Sequence, residues 1–138
     1  MVNKLVAAAG VDPAAERGGA WFEYGAGGAT FRVKLARAGT GNGEFMQLQN
    51  RLLKPWRSGA RGGQAAEIPH DVDRKIMREL YARTIVKDWN VEDFGQEFSV
   101  DACIETMKAL NDFLTWVITV SNEQENYRKA ELDEAAGN

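Results

Sequence analysis

HDVDRKIMRELYARTIVKDW, residues 70–89, is the stretch on which the rest of the chain depends. Val72, Ile76 and Leu80 recur at four-residue steps, and Met77, Tyr81 and Ile85 broaden the same face, which is the spacing of an amphipathic helix. Pro69 and Asp71 suit a helix start, and acidic side chains in a first turn complement the helix dipole. The periodicity predicts one helix running to about Asp88.

Toward the N-terminus the period changes from helical to two. AWFEY at 20–24 and ATFRVKLAR at 29–37 are β-prone runs joined by GAGG, and Phe31, Val33 and Leu35 alternate with Arg32, Lys34 and Ala36. They predict a β-hairpin, and because an isolated hairpin is marginal in water its apolar face must lie on helices. Phe45, Met46, Leu48, Leu52 and Leu53 then predict a helix over 44–53, ended by Pro55. The glycine-rich stretch at 57–65 reads as a flexible loop.

Toward the C-terminus NVEDFGQEF reads as a short irregular link, with Ser99 as N-cap of a helix over VDACIETMKAL. Asn111 or Asp112 caps or bends the entry into a last helix, where Phe113, Trp116, Val117, Val120 and Tyr127 share a face. No Gly or Pro interrupts the chain from Phe113 to Ala136, so that helix is expected to pass from core at 113–120 to a solvated arm at 122–134. The expected fold is mainly α (α+β), an N-terminal β-hairpin packed on about four helices with a long C-terminal helix. A flexible start at 1–18, one domain over 19–132 and a frayed end at 133–138 complete it.

Residues 1–66 carry nine basic and four acidic side chains, a net +5, and residues 67–138 carry eight and sixteen, a net −8. Such asymmetry suits charged partners or head-to-tail self-association. A lone cysteine, Cys103, makes no internal disulfide, and with one histidine, His70, there is no Cys/His metal site to build. No run approaches a membrane span or a signal-peptide core, so a cytosolic protein without metal or cofactor is expected. GAGGAT and GTGNG lack the context of phosphate loops and read as turns. Glu92, Asp93, Glu97 and Asp101 read as a solvated face, and Cys103 as a small buried hydrophobe rather than a nucleophile paired with His70. No catalytic set emerges, and an enzyme is not expected. Seven basic residues against one acid between Arg32 and Arg61, with Phe31, Phe45 and Trp56 interleaved, make a weak case for single-stranded nucleic acid. Trp21, Trp56, Trp89 and Trp116 suit the core, although Trp56 before the glycine loop and Trp89 at a helix end also suit interface anchors.

The order WFEY…TFRVKLAR, LLKPW, IVKDW, VEDFGQEFSVDAC and FLTWVITVSNEQENYRKAE resembles the tail assembly chaperones of long-tailed bacteriophages, over roughly residues 20–132. The resemblance implies a non-enzymatic protein of the host cytoplasm that binds the tape measure protein, keeps it soluble, helps recruit tail tube protein and is absent from the mature virion. It also implies a frameshifted longer form, beside the self-association that the charge asymmetry suits. Together with the residue-level reading it leaves Trp56, Trp89, Phe94, Trp116, Tyr127 and Arg128 as the candidate partner-binding positions. The rival readings are a structural minor tail or completion protein and a small nucleic-acid-binding regulator.

Overall fold

A computed structural model describes residues 3–58 and 67–128. The hairpin forms as its sequence predicts. Strand β1 (Ala20–Ala26) pairs antiparallel with β2 (Ala29–Leu35), and Gly27 and Gly28 turn the corner with φ of +58° and +79°. Both turn positions need positive φ for the strands to keep their native twist, which glycine allows without steric cost. Phe22 and Tyr24 of β1 and Phe31, Val33 and Leu35 of β2 lie on the face turned to the protein interior, as period two demands.

Helix α3 spans Gly43–Ser58 and α4 spans His70–Thr84. Two expectations are corrected here. Pro55 does not end α3 but lies inside its last turn, where the proline removes one backbone donor and little helix remains to be disrupted. Nor does α4 reach Asp88. Its final backbone bond runs from Ile85 N to Tyr81 O at 3.0 Å, and residues Val86–Trp89 form strand β3 against β2. The β-branched run of Thr84, Ile85 and Val86 favours extended backbone, and the Ile85 carbonyl accepts from Ala36 N at 2.8 Å, so the turn after α4 is fixed by the sheet. The sheet order is β1-β2-β3, with Val33 opposite Trp89 and a register shift between Lys34 and Leu35.

After β3 the expected irregular link contains one helical turn, α5 (Val91–Phe94), capped by Asn90 and closed by Gly95 at φ +74°. Ser99 caps α6 (Val100–Ala109) as expected, its side chain accepting from Ala102 N at 3.0 Å. Leu110, not Asn111 or Asp112, holds the cap position of α7 (Asn111–Asn122), with no side-chain cap bond. The long helices α3, α4, α6 and α7 form the bundle, with α4 touching the other three. Val33, Leu35, Leu80, Ile85, Trp89, Cys103, Met107 and Val117 are among the most deeply buried apolar side chains of the core between sheet and bundle.

The end of the chain departs most from expectation. The final helix stops at Asn122; Glu123 is extended, and Gln124–Tyr127 is a 3-10 turn. Ser121 and Asn122 bond back to the carbonyls of Val117 and Ile118, the local competition by which such side chains end helices. The chain then returns to the sheet. Tyr127 is 0 % exposed, its hydroxyl donating toward the carbonyls of Ala36 and Leu35 at 3.0 and 3.2 Å, with Phe22 edge-on to its ring. The start of the chain holds two short helices, α1 (Lys4–Ala9) and α2 (Pro13–Gly18). Asp12 N bonds to Tyr127 O at 2.9 Å, Val11 bridges to Arg128, and Glu16 binds Arg37 at 2.9 Å. The centre of the expected glycine loop, 59–65, and the arm beyond Arg128 lie outside the described residues.

Candidate protein-binding surface

Three of the aromatic side chains singled out by sequence converge. The Trp89 indole donates Nε1–H to the Gln96 carbonyl at 2.9 Å and stacks on Phe94 with ring centroids 4.2 Å apart. Phe94 meets Phe31 at 5.4 Å and Phe113 at 6.2 Å, Phe113 meets Trp116 at 6.0 Å, and Trp116 meets Tyr24 at 5.1 Å. The result is an aromatic band from β2 across α5 to α7 and back to β1. Trp89 and Phe113 are its buried centre, whereas Phe31, Phe94, Trp116 and Tyr24 are half-buried. Aromatic contacts of this kind stabilise beyond simple area burial and leave ring faces available at the margin.

Asp93 fixes α5 on the sheet. Its carboxylate accepts the Arg32 backbone N–H at 3.0 Å and Nε at 3.1 Å. These hydrogen bonds hold the Asp93 carboxyl below its ordinary range and raise the Arg32 guanidinium further. The expected solvated acidic face is thus divided: Glu92, Glu97 and Asp101 are exposed, and Asp93 holds β2.

Beside the band, the outer side of α6 presents a shallow, open groove of mostly apolar surface lined by Gln96, Ala102, Thr106, Ala109 and Leu110, with Asp101 and Glu105 contributing carboxylates. Leu110 is 43 % exposed, and Val91, one turn from Phe94, is 47 % exposed. Sequence reasoning misses both, because a single apolar residue among polar neighbours carries no periodic signal of its own, and only the chain direction at the α6–α7 corner turns Leu110 outward. The opposite side of α6 faces α4 in a groove of different character, lined by Lys75, Arg78, Arg83 and Lys108 around Ile104, with Glu79 pairing Arg83 at 3.1 Å.

The other expected contact positions lie elsewhere. Trp89 is 1 % exposed and serves the core, which removes it as a surface anchor. Tyr127 is enclosed, so it is no contact point on a projecting arm; Arg128 is half-buried, and its Nε has no hydrogen-bond partner among the described residues. Trp56 is half-buried near the end of α3, away from the band. Cys103 is fully buried and desolvation pushes its thiol up to about 12, leaving no thiolate for nucleophilic work. In the basic 32–61 region Arg32 is held by Asp93, Arg37 by Glu16, and Arg57 reaches Asn50 at 3.0 Å. Among the described residues no three His, Cys, Asp or Glu side chains group as a metal site, and no helix is long and apolar enough to cross a membrane.

The sequence model of the family described as YdaY prophage protein matches residues 40–138. That span begins just ahead of α3 and includes the α6 groove and α7 but not the β1–β2 hairpin. No curated protein and no solved structure matches the chain significantly.

Proposed function

The chain belongs to the YdaY prophage protein family and is thus of phage origin, and on that premise we propose that it is a tail assembly chaperone. In this reading it binds the tape measure protein in the host cytoplasm, keeps it soluble, helps recruit tail tube subunits and leaves before the virion matures. It works without catalysis. The observation that carries the reading is the exposed apolar groove of α6, ending at Leu110 beside the half-buried aromatic band. An amphipathic helical segment of a long tail protein fits such a groove by laying its apolar stripe in it. Asp101 and Glu105 at the groove favour a segment with basic flanks and keep the complex charged and soluble.

Co-expression with the tape measure protein tests this directly. The expected result is copurification and a soluble tape measure protein, lost in Leu110→Glu, whose exposed side chain can change without unfolding the domain. If the large protein stays insoluble with the unaltered chain, the chaperone reading fails. Mass spectrometry of purified virions then decides for the structural tail protein if the chain is found in the particle.

A further inference from the structure

Among the described residues strand β1 is an open edge. Arg32, in the middle of β2, donates its backbone N–H to Asp93 at 3.0 Å and its carbonyl accepts from Asn90 at 3.0 Å. Both groups therefore point away from β1, so Glu23 and Arg32 form a non-hydrogen-bonded register pair and Glu23 turns its own N–H and C=O outward. The two-residue period extends this to Trp21 and Gly25. Among the described residues, no backbone hydrogen bond from another element reaches β1.

Protein edges are ordinarily blunted by charged side chains, Lys above all, by Pro, a bulge or a covering element, and Glu23 is the single such charge on β1. β1 runs for seven residues without Lys or Pro, and the register shift of this sheet lies between β2 and β3 instead. Trp21 on this strand is 51 % exposed. Glu23 forms no ion pair among the described residues, because Arg32 across the ladder is held by Asp93 at 3.1 Å. An unpaired ladder, an exposed indole and a carboxylate that feels Arg32 only at longer range thus share one strand among the described residues.

We propose that β1 takes up an extended segment of another protein as a fourth strand, with apolar side chains on the Phe22 and Tyr24 face and a Lys or Arg opposite Glu23. A second copy of this chain is the poorer occupant. Self-pairing centred on Glu23 sets two carboxylates against each other, and centring it on Phe22 or Tyr24 leaves each Glu23 opposite Trp21 or Gly25, without a cation. This surface is separate from the α6 groove, so the proposal stands or falls independently of the chaperone reading.

The test is amide exchange of the full chain, followed by NMR, with the peptide acetyl-VTVKVTV-amide, whose alternation presents valine to the inner face and lysine to Glu23. Saturable slowing of the Trp21, Glu23 and Gly25 amides by at least about tenfold is expected on strand addition. It should vanish with the peptide carrying Glu for Lys and in Glu23→Pro, which removes an outward N–H and no β1–β2 bond. Glu23→Lys should transfer the preference to the glutamate peptide. No saturable effect, equal effects of both peptides, or protection centred on Leu110 and Trp116 would each overturn the proposal. So would a concentration-dependent dimer that Glu23→Pro abolishes, since the occupant would then be a second copy.

Discussion

Tyr127 and Leu110 exchange the places their surroundings suggest. Tyr127 follows SNEQEN, a run of polar and charged side chains, and is fully enclosed; Leu110 closes a helix rich in apolar residues and is 43 % exposed. The neighbours of a residue set its local conformation, but where the chain travels next sets its burial. The stretch after α7 turns back to the sheet and carries Tyr127 beneath β1 and β2, whereas the corner between α6 and α7 pushes Leu110 out.

The strongest way to break this contrast is Tyr127→Ala. Loss of a fully enclosed ring is expected to cost about 3–5 kcal/mol in denaturant unfolding. A loss below about 1 kcal/mol would show that the closing segment is not part of the core.

Next in size is an alkaline effect from the inward side of α6. An unfolded thiol loses its proton near the ordinary value of 9.0, while folded Cys103 holds its own until about 12. Between those values the unfolded state binds fewer protons, so stability should fall as pH rises, by up to about 1.4 kcal/mol per pH unit. Burial raises Tyr127 and Tyr81 as well, so the share of Cys103 is the part of the slope that disappears in Cys103→Ala.

Tyr127→Phe isolates the hydroxyl. It leaves the ring in place and removes the donor to the Ala36 and Leu35 carbonyls, for an expected cost of about 1–2 kcal/mol. At the other pole of the comparison, Leu110→Glu should change folding stability by less than about 0.5 kcal/mol, as measured by the same unfolding curves. A large loss there would mean that Leu110 supports the fold and that its groove is a poor place to look for a partner.

The legible parts of the fold are those governed by short-range chemistry. Two glycines between two alternating runs specify the hairpin, Ser99 caps α6, and the periodicity of Val72, Ile76 and Leu80 announces α4. The illegible parts depend on partners distant in sequence. Ile85, Val86 and Trp89 continue the apolar spacing of α4 well enough to look helical, and only pairing with β2 makes that stretch a strand. Pro55 is a helix breaker by rule, yet α3 extends past it by three residues. For the candidate surface, sequence singles out Phe94 and Trp116, which the aromatic band includes, but it also selects Trp89 for exposure when a hydrogen bond to Gln96 and stacking on Phe94 keep it inside. Exposed Leu110, Val91 and the β1 edge leave no mark in composition, because exposure belongs to the assembled topology.

The bridge between Val11 and Arg128, with Asp12 bonded to Tyr127, joins residues that are almost as far apart in the chain as two described residues can be. Closing so long a loop costs entropy that is recovered only after the intervening elements have formed. The closure should therefore come after the folding barrier, and substitutions at Tyr127 should speed unfolding while leaving the refolding rate nearly unchanged. In stopped-flow kinetics the closing segment would act as a latch, setting how long the folded state lasts rather than how quickly it is reached.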